Sequence, residues 1–277
     1  MSKNDKIKIV ILVLLWAAVF YPLYPELVRE WLGNSDNSHA FIVPLISMYF
    51  VWQRKNALQL TPITTSLWGG GLLGVSLLLY VLSSAGGLAF PARIAMVTSL
   101  FGLVWFCLGK EFIQKLAFPI AFLLFMVPVP YSLISLVSTP LQLMATEVSA
   151  ALIGKCSIPV YREGNMLYFM QTQLEVAEAC SGVRSIMALT MISFVFCFLS
   201  RDGWWRRAVL VIAAIPIAIV ANIFRVTGTG VLAHFYGDGV ARGFLHEFSG
   251  IAIFIFGFAQ LFAVFFLVNR KITNDIR

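Results

Sequence analysis

Charged residues are scarce in this sequence. Asp, Glu, Lys and Arg make up 12% of its 277 residues, whereas soluble domains carry about 25%. Hydrophobic residues account for 60% of the chain, and its mean hydropathy is +0.87. Such a composition excludes an ordinary soluble domain and predicts a polytopic membrane protein.

Histidine and cysteine are also few, with three and four residues. No histidine takes part in a His-x-x-x-His or Glu-x-x-His pair, the spacings at which one helix presents two ligands to a metal ion. A metal-dependent membrane protease is therefore disfavoured. We expect no metal site and no cofactor.

Apolar stretches long enough to cross about 30 Å of hydrocarbon occur throughout the chain. The second stretch, 40–53, is the shortest, and the first, 7–24, follows a basic start as a signal peptide does. No small-x-small cleavage site follows that first stretch, so we expect a retained helix. The eight candidate spans are 7–24, 40–53, 67–88, 92–108, 112–127, 183–199, 206–224 and 245–268.

The basic residues indicate the orientation of these spans. With the N-terminus in the cytoplasm, 13 of the 20 Lys and Arg residues fall inside and seven outside. The positive-inside rule then predicts eight spans with both termini in the cytoplasm. This topology, together with anionic lipid, accounts for the net charge of +7, so we expect no nucleic-acid partner.

The segment 128–179, between the fifth and sixth spans, differs from the rest in its prolines and amphipathic stretches. We expect a broken or interfacial helix at about 131–154, interrupted at Pro140. Two short strands are expected to flank the Gly-Asn turn at 164–165. The predicted fold is all-α, with about eight transmembrane helices, in a single domain over 1–277 with this extracytoplasmic insertion.

Three polar groups lie at the predicted outer ends of different spans. "EVAEACSGVRS" precedes the sixth span, "ANIFR" ends the seventh, and "FLHEFSG" begins the eighth. They bring Cys180, Arg225 and His246 to one side of the membrane. A thiolate is a nucleophile, a histidine can act as general base and acid, and an arginine can donate to a developing oxyanion. Together these residue types indicate acyl transfer from a peptide bond.

Each of these residues also has a structural interpretation. Cys180 can pair with Cys156 in a disulfide bond, because both lie on the predicted outer side. Arg225 can reach the lipid headgroups from a helix end, and His246 can anchor the last helix. The working histidine can equally be one of the other two, which are His39 and His234.

A transporter or lipid-binding protein is the alternative function. In that hypothesis the charged outer residues line a polar cavity, because charges within membrane proteins often mark transport paths. The inverted repeats and paired broken helices of many transporters are not visible in this sequence. The cavity residues would be Glu178, Arg184, Arg225 and His246.

The order of the motifs resembles that of the exosortase and archaeosortase family of membrane-embedded sorting enzymes. "EACSGVRS" follows "FPIAFLLFMVPVP", "STPLQLMAT" and "IPVYREGN", and it precedes "ANIFR" and "HEFSG". "WLGNSDNSHAFIVPLISMYFVWQRK" is similar to the Ser-His signature of that family, although Ala40 stands where many members have Gly. The resemblance extends over about 31–268.

The resemblance implies a catalytic set made of Cys180, Arg225 and His246. It also implies substrates: exported proteins whose C-terminal sorting signal combines a Pro-Glu-Pro-like motif, a hydrophobic helix and a basic tail. Cleavage would proceed through a Cys thioester at the outer face, with transfer to water or to an acceptor, in association with exopolysaccharide. The matching positions expected to orient the site or contact substrate are Glu178, Ser181, Gly182, Arg184, Asn222 and His39.

Overall fold

A computed structural model of the chain describes residues 3–176, 182–200, 203–237 and 244–270. For 3–6, 35–36, 244–249 and 270 it describes the backbone alone. The chain divides into two compact units, Met1–Pro130 and Tyr131–Arg277. The expectation of one domain over 1–277 stays a prediction.

The first unit contains helices and no strand in its described residues. Three short 3-10 helices, Tyr21–Leu23, Ser35–Phe41 and Leu123–Met126, connect or end its α-helices. The α-helices are α1 (Lys3–Val19), α2 (Tyr24–Gly33), α3 (Ile42–Gln53), α4 (Lys55–Gln59), α5 (Leu67–Ala85), α6 (Ala89–Leu108) and α7 (Lys110–Phe122).

Glycine allows α5 and α6 to pack backbone against backbone. A Cβ atom placed on Gly69 would lie 2.3 Å from the backbone nitrogen of Phe106, and one on Gly102 would lie 2.6 Å from that of Leu73. Neither helix has room for a side chain at these points. Close approach through small residues is the usual packing of helices in lipid, where apolar surface alone gives no preference for a protein neighbour.

A buried ion pair ties α2 to α6. Arg93 is 2% exposed, and its guanidinium donates two hydrogen bonds of 2.7 Å to the carboxylate of Glu30. Glu26, one turn earlier on α2, lies 3.6 Å from the same guanidinium. The same helix is held at Trp31, whose indole N–H donates to the carbonyl of Met126 at 2.9 Å.

The second unit contains the longest helices and a small sheet. Its elements are α8 (Tyr131–Lys155), β1 (Tyr161–Glu163), β2 (Met166–Tyr168), β3 (Gln173–Glu175), α9 (Val183–Leu199), α10 (Trp204–Tyr236) and α11 (Phe244–Arg270). With 33 residues, α10 is about 50 Å long. It packs against α8, α9 and α11.

The prediction of an interruption at Pro140 is wrong, because α8 is one continuous helix of 25 residues that contains this proline. A proline inside a helix removes one backbone hydrogen bond, and packing on a neighbour offsets that loss. The buried positions of α8 recur every three or four residues and form one continuous stripe. They are Ser138, Gln142, Ala145, Thr146, Ser149 and Ile153.

The predicted hairpin is confirmed. Strands β1 and β2 pair antiparallel, with Tyr161 opposite Tyr168, around a turn in which Gly164 has φ of +59°. A third strand, β3, pairs with β2 and was not predicted. Its three residues are too few to show the alternation that identifies a strand in a sequence.

The sheet packs against α8 and α10 in one hydrophobic cluster. Leu167 and Leu174 of the sheet meet Ile153 of α8 and Val226 of α10, and all four are buried. A Cβ atom on Gly230 of α10 would lie 2.7 Å from Ile153 Cδ1, so the two helices are in close contact. A second cluster joins α9, α10 and α11 through Leu189, Phe196, Cys197, Leu210, Ala214, Ile217, Ala218 and Leu261.

The multi-pass helical membrane fold is confirmed. In the described residues, five helices are long and apolar enough to cross a membrane: α5, α6, α8, α10 and 250–269 of α11. The helices Ile7–Val19 and Tyr21–Gly33, bent by 53°, give a sixth candidate if they count as one span. The count of eight stays a prediction, because α3, α7 and α9 have 12, 13 and 17 residues. The interfacial position expected for α8 also stays a prediction.

Arg93→Ala should destabilise the protein, because it leaves the Glu30 carboxylate without its bidentate partner. The Glu30 side chain is 37% exposed, so we expect a loss of about 2 kcal/mol, less than for a fully buried pair. Unfolding in detergent micelles measures it. The control is Arg29→Ala, because Arg29 is exposed on α2, next to Glu30. It should change stability by less than about 0.5 kcal/mol. Equal stability of the two variants would contradict a stabilising role for the pair.

Candidate functional site

The sequence-predicted site residues differ in how far the structure describes them. Glu178, Cys180 and Ser181 lie outside the described residues, in 177–181. His246 is described by its backbone, in the first turn of α11. The positions described in full are His39, Gly182, Arg184, Asn222 and Arg225.

Before 177–181, the chain is held at Val176. The backbone N–H of Val176 donates to the carbonyl of Asn165 at 2.9 Å. Its own carbonyl accepts one hydrogen bond from the side-chain amide of Gln142 and one, of 3.4 Å, from that of Asn165. The Val176 side chain is 2% exposed. Backbone and side chain of this residue are therefore both fixed.

After 177–181, Gly182 precedes the first residue of α9 and lies against Asn222 of α10. Its φ is +84°, in the left-handed region. Its carbonyl accepts the first helical hydrogen bond of α9, from Ile186 N–H at 2.9 Å. A Cβ atom at this position would lie 3.0 Å from both Cβ and Cγ of Asn222. Both the backbone conformation and the available space therefore favour glycine here.

The contact between Gly182 and Asn222 joins two of the three sequence motifs. Asn222 is 3% exposed, so α9 begins against a buried amide in the middle of α10. Gly182, the last residue of "EACSG", therefore meets Asn222 of "ANIFR", which lies 40 positions later in the chain. Arg225 follows Asn222 by three residues and lies on the same face of α10.

Arg225 reaches the third motif through α11. A Cβ atom placed on Gly250 would lie 3.8 Å from Arg225 Nη2, so the guanidinium lies beside the backbone of α11 at this residue. His246 precedes Gly250 by four residues, which puts the two positions on the same face of α11, one turn apart. Farther along α11, a Cβ atom on Gly257 would lie 2.9 Å from Leu189 Cδ1 of α9. The helices α9, α10 and α11 are thus mutually close at the site.

Two other predicted residues are not part of these contacts. Arg184 is exposed in the first turn of α9. His39 lies in the 3-10 helix Ser35–Phe41, in the first unit. Roles for both stay predictions.

The alternative histidine, His234, and the alternative cysteine partner, Cys156, are not among these contacts. The ring of His234 lies 6.0 Å from that of Phe169 and 5.0 Å from that of Phe235. It follows Arg225 by nine residues, which is about 14 Å along α10, so His234 is a poor partner for that guanidinium. Cys156 is exposed and forms no disulfide bond with a cysteine of the described residues. Its pairing with Cys180, which lies outside them, stays a prediction.

Three residues that the sequence interpretation assigned no role contribute to the geometry. Gln142 and Asn165 hold Val176, and Gly250 leaves space beside Arg225. Gln142 lies in the quoted "STPLQLMAT" segment, Asn165 in "IPVYREGN", and Gly250 ends "HEFSG". The three residues were therefore within the quoted motifs, but the spacing of the motifs could not show which residues they contact. Within the described ranges, no group of three or more His, Cys, Asp or Glu residues is placed to hold a metal ion.

Comparison with known proteins gives one match. A family model described as transmembrane exosortase matches residues 31–263. No curated protein and no solved structure matches significantly. The matched range contains the hairpin, the Gly182–Asn222 contact and the Arg225–Gly250 contact.

Gly182→Ala should destabilise the start of α9. The substitution combines a left-handed backbone with a 3.0 Å approach to Asn222, so we expect a loss of about 1–2 kcal/mol. Gly228→Ala is the matched control, because a Cβ atom there meets nothing within 4 Å. Chemical denaturation in micelles compares the two variants. Equal stability would show that glycine is not required at 182.

Proposed function

The chain belongs to the transmembrane exosortase family, and we propose that it cleaves the C-terminal sorting signals of exported proteins with Cys180 as nucleophile. Family membership supports a membrane sorting-signal transpeptidase or protease as the general class of activity. The proposal adds the residues, the thioester intermediate and the side of the membrane. The substrate signal expected is a Pro-Glu-Pro-like motif followed by a hydrophobic helix and a basic tail.

The observation that carries the proposal is the convergence of the three motifs on α10. Gly182 touches Asn222, and the guanidinium of Arg225 lies beside Gly250. Cys180 precedes Gly182 by two residues, so the Cα atoms of the two are at most about 7 Å apart. His246 lies one turn from Gly250 on α11. A thiol, a guanidinium and an imidazole therefore start from neighbouring positions of the backbone.

In the proposed reaction His246 accepts the proton of the Cys180 thiol. The thiolate attacks the scissile carbonyl carbon, and Arg225 donates hydrogen bonds to the oxyanion that forms. The C–N bond then breaks, His246 returns the proton to the leaving amine, and the substrate remains bound to Cys180 as a thioester. Water or an acceptor amine attacks this thioester and loses its proton to His246. The C–S bond breaks, and His246 returns that proton to the departing sulfur, which frees the thiol.

The remaining motif residues support this chemistry by position. Asn222 holds the start of α9 through Gly182. Arg184 is exposed in the first turn of α9, and we assign it to substrate contact. For Glu178, Ser181 and His39 we propose roles in orienting the site or contacting substrate. These three roles rest on the motifs alone.

In the predicted eight-span topology, the distribution of charge supports cleavage at the outer face. Basic residues favour the side of the membrane that carries both termini, which the positive-inside rule assigns to the cytoplasm. The three motifs then lie on the outer side of a bacterial inner membrane. A substrate anchored by its own hydrophobic C-terminal helix would present its cleavage motif at this depth.

Cys180→Ala should abolish processing. Loss of a nucleophile that acts together with a base and an oxyanion donor costs at least about 1,000-fold in rate. The measurement is cleavage of an exported reporter bearing the tripartite signal, in proteoliposomes. Cys156→Ala, at an exposed thiol, should stay within about two-fold of wild type, as surface substitutions usually do. A Cys180→Ala variant that cleaves at the wild-type rate would rule out the mechanism.

Arg225→Lys should keep a positive charge yet lose much of the activity. A lysine presents one compact charge in place of the planar guanidinium, so we expect kcat to fall about 100-fold. Arg162→Lys is the matched control, because Arg162 is paired at 3.6 Å with an exposed Glu147 on the surface. Equal kcat in the two variants would remove Arg225 from the proposed chemistry.

A further inference from the structure

Two buried or partly buried amide side chains meet at one carbonyl, that of Val176. Gln142, which is 7% exposed on α8, donates from Nε2. Asn165, in the turn between β1 and β2, donates from Nδ2 at 3.4 Å. A carbonyl oxygen has two lone pairs, and both are used here. In addition, the backbone N–H of Val176 donates to the backbone carbonyl of Asn165. Three hydrogen bonds to two different elements therefore hold Val176.

The surroundings make this arrangement rigid. The backbone carbonyl of Gln142 accepts a hydrogen bond of 2.8 Å from the hydroxyl of Thr146, a residue that is 0% exposed. The side chain of Val176 packs in the same hydrophobic cluster as Ala145 of α8 and Val226 of α10. Val226 is the direct neighbour of Arg225 in α10. The position of Val176 is thus linked both to α8 and to the helix that carries the proposed oxyanion donor.

We propose that Gln142 and Asn165 are positioning residues for the nucleophile, which act by fixing Val176. This inference rests on the proposed function, because it gives Cys180 a chemical role. Val176 lies four residues before Cys180, and Gly182 lies two residues after it. The five residues 177–181 therefore connect two anchored points, one held by Gln142 and Asn165 and the other by Asn222. Two anchors restrict where the thiol can lie relative to Arg225 and His246.

The role differs from ordinary support of the sheet. A hydrogen bond that only stabilises β3 would change the folded fraction and leave the rate of each folded molecule unaltered. A positioning bond changes the rate of the chemical step, since small displacements of reacting atoms cost rate steeply. Substitution of Gln142 should therefore lower kcat and leave KM within about two-fold, because substrate contacts are untouched.

Gln142→Leu is the first test variant. It keeps the volume and removes the donor. We expect kcat for the tripartite-signal reporter to fall about 10- to 100-fold. Asn165→Asp is the second variant, and it retains the backbone carbonyl that accepts from Val176. The hydrogen bond that this variant loses is the longer of the two, so we expect a smaller decrease in kcat, of about three- to ten-fold. Gln173→Leu is the matched control, since Gln173 is exposed in β3, and it should behave as wild type.

Alkylation by iodoacetamide gives a readout that needs no substrate. Peptide mass spectrometry measures the rates at Cys180 and at the exposed Cys156 in the same sample, so Cys156 corrects for reagent. In Gln142→Leu the ratio of the Cys180 rate to the Cys156 rate should fall at least about three-fold, because a misplaced thiol loses the cations that favour its thiolate. If Gln142→Leu does not fold, Gln142→Met removes the same donor and Asn165→Asp provides the same comparison.

The outcomes separate this inference from the proposed function. If Cys180→Ala is inactive while Gln142 and Asn165 variants keep the wild-type kcat and alkylation ratio, the positioning role is overturned and the proposed function stands. A lower folded fraction with an unchanged ratio and an unchanged kcat per folded molecule also overturns it. If Cys180→Ala is active, the proposed function fails and the inference fails with it, whatever the ratio.

Discussion

Gly182 immediately precedes α9 and contacts Asn222 of α10, and the arrangement of the candidate site depends on this contact. The absent side chain permits both the left-handed backbone, with φ of +84°, and the close approach to a buried amide. A side chain at this position would strain the backbone and press on Asn222 of the helix that carries Arg225. Because α10 also packs against α11, the position of α9 on it determines which residues of the three helices become neighbours.

Burial of a few polar groups in a chain with little charge gives the second unit its local order. Asn222, Gln142 and Thr146 are each at most 7% exposed. In an apolar environment such groups must find partners, and a partner that is found fixes the local backbone. The hydrogen bonds at Val176 illustrate this: two amides converge on one carbonyl next to the segment that contains Cys180. The first unit follows the same rule with a charge, since the buried guanidinium of Arg93 is paired with the carboxylate of Glu30.

The sequence allowed prediction of those features that depend on local chemistry. The hairpin follows from the Gly164–Asn165 turn, and the helical membrane fold follows from composition. Pro140 misled the interpretation of α8, because packing of a continuous buried stripe outweighs one lost hydrogen bond. Arg93 was counted as an outer basic residue, and its pairing with Glu30 across 63 positions left no local signal. The motifs identified candidate residues, but the contacts of Gly182 with Asn222 and of Arg225 with Gly250 are tertiary, so spacing could not reveal them.

Capture of the acyl-enzyme is the most direct measurement of the central claim, that Cys180 is the nucleophile at this junction of α9, α10 and α11. The protein in proteoliposomes is mixed with the tripartite-signal reporter, quenched with acid to preserve thioesters, and digested for mass spectrometry. The account predicts that the new carboxyl end of the reporter is attached to the peptide containing Cys180, and that hydroxylamine releases it. Cleavage of the reporter with the adduct on another residue, or with none under conditions that preserve thioesters, would contradict it.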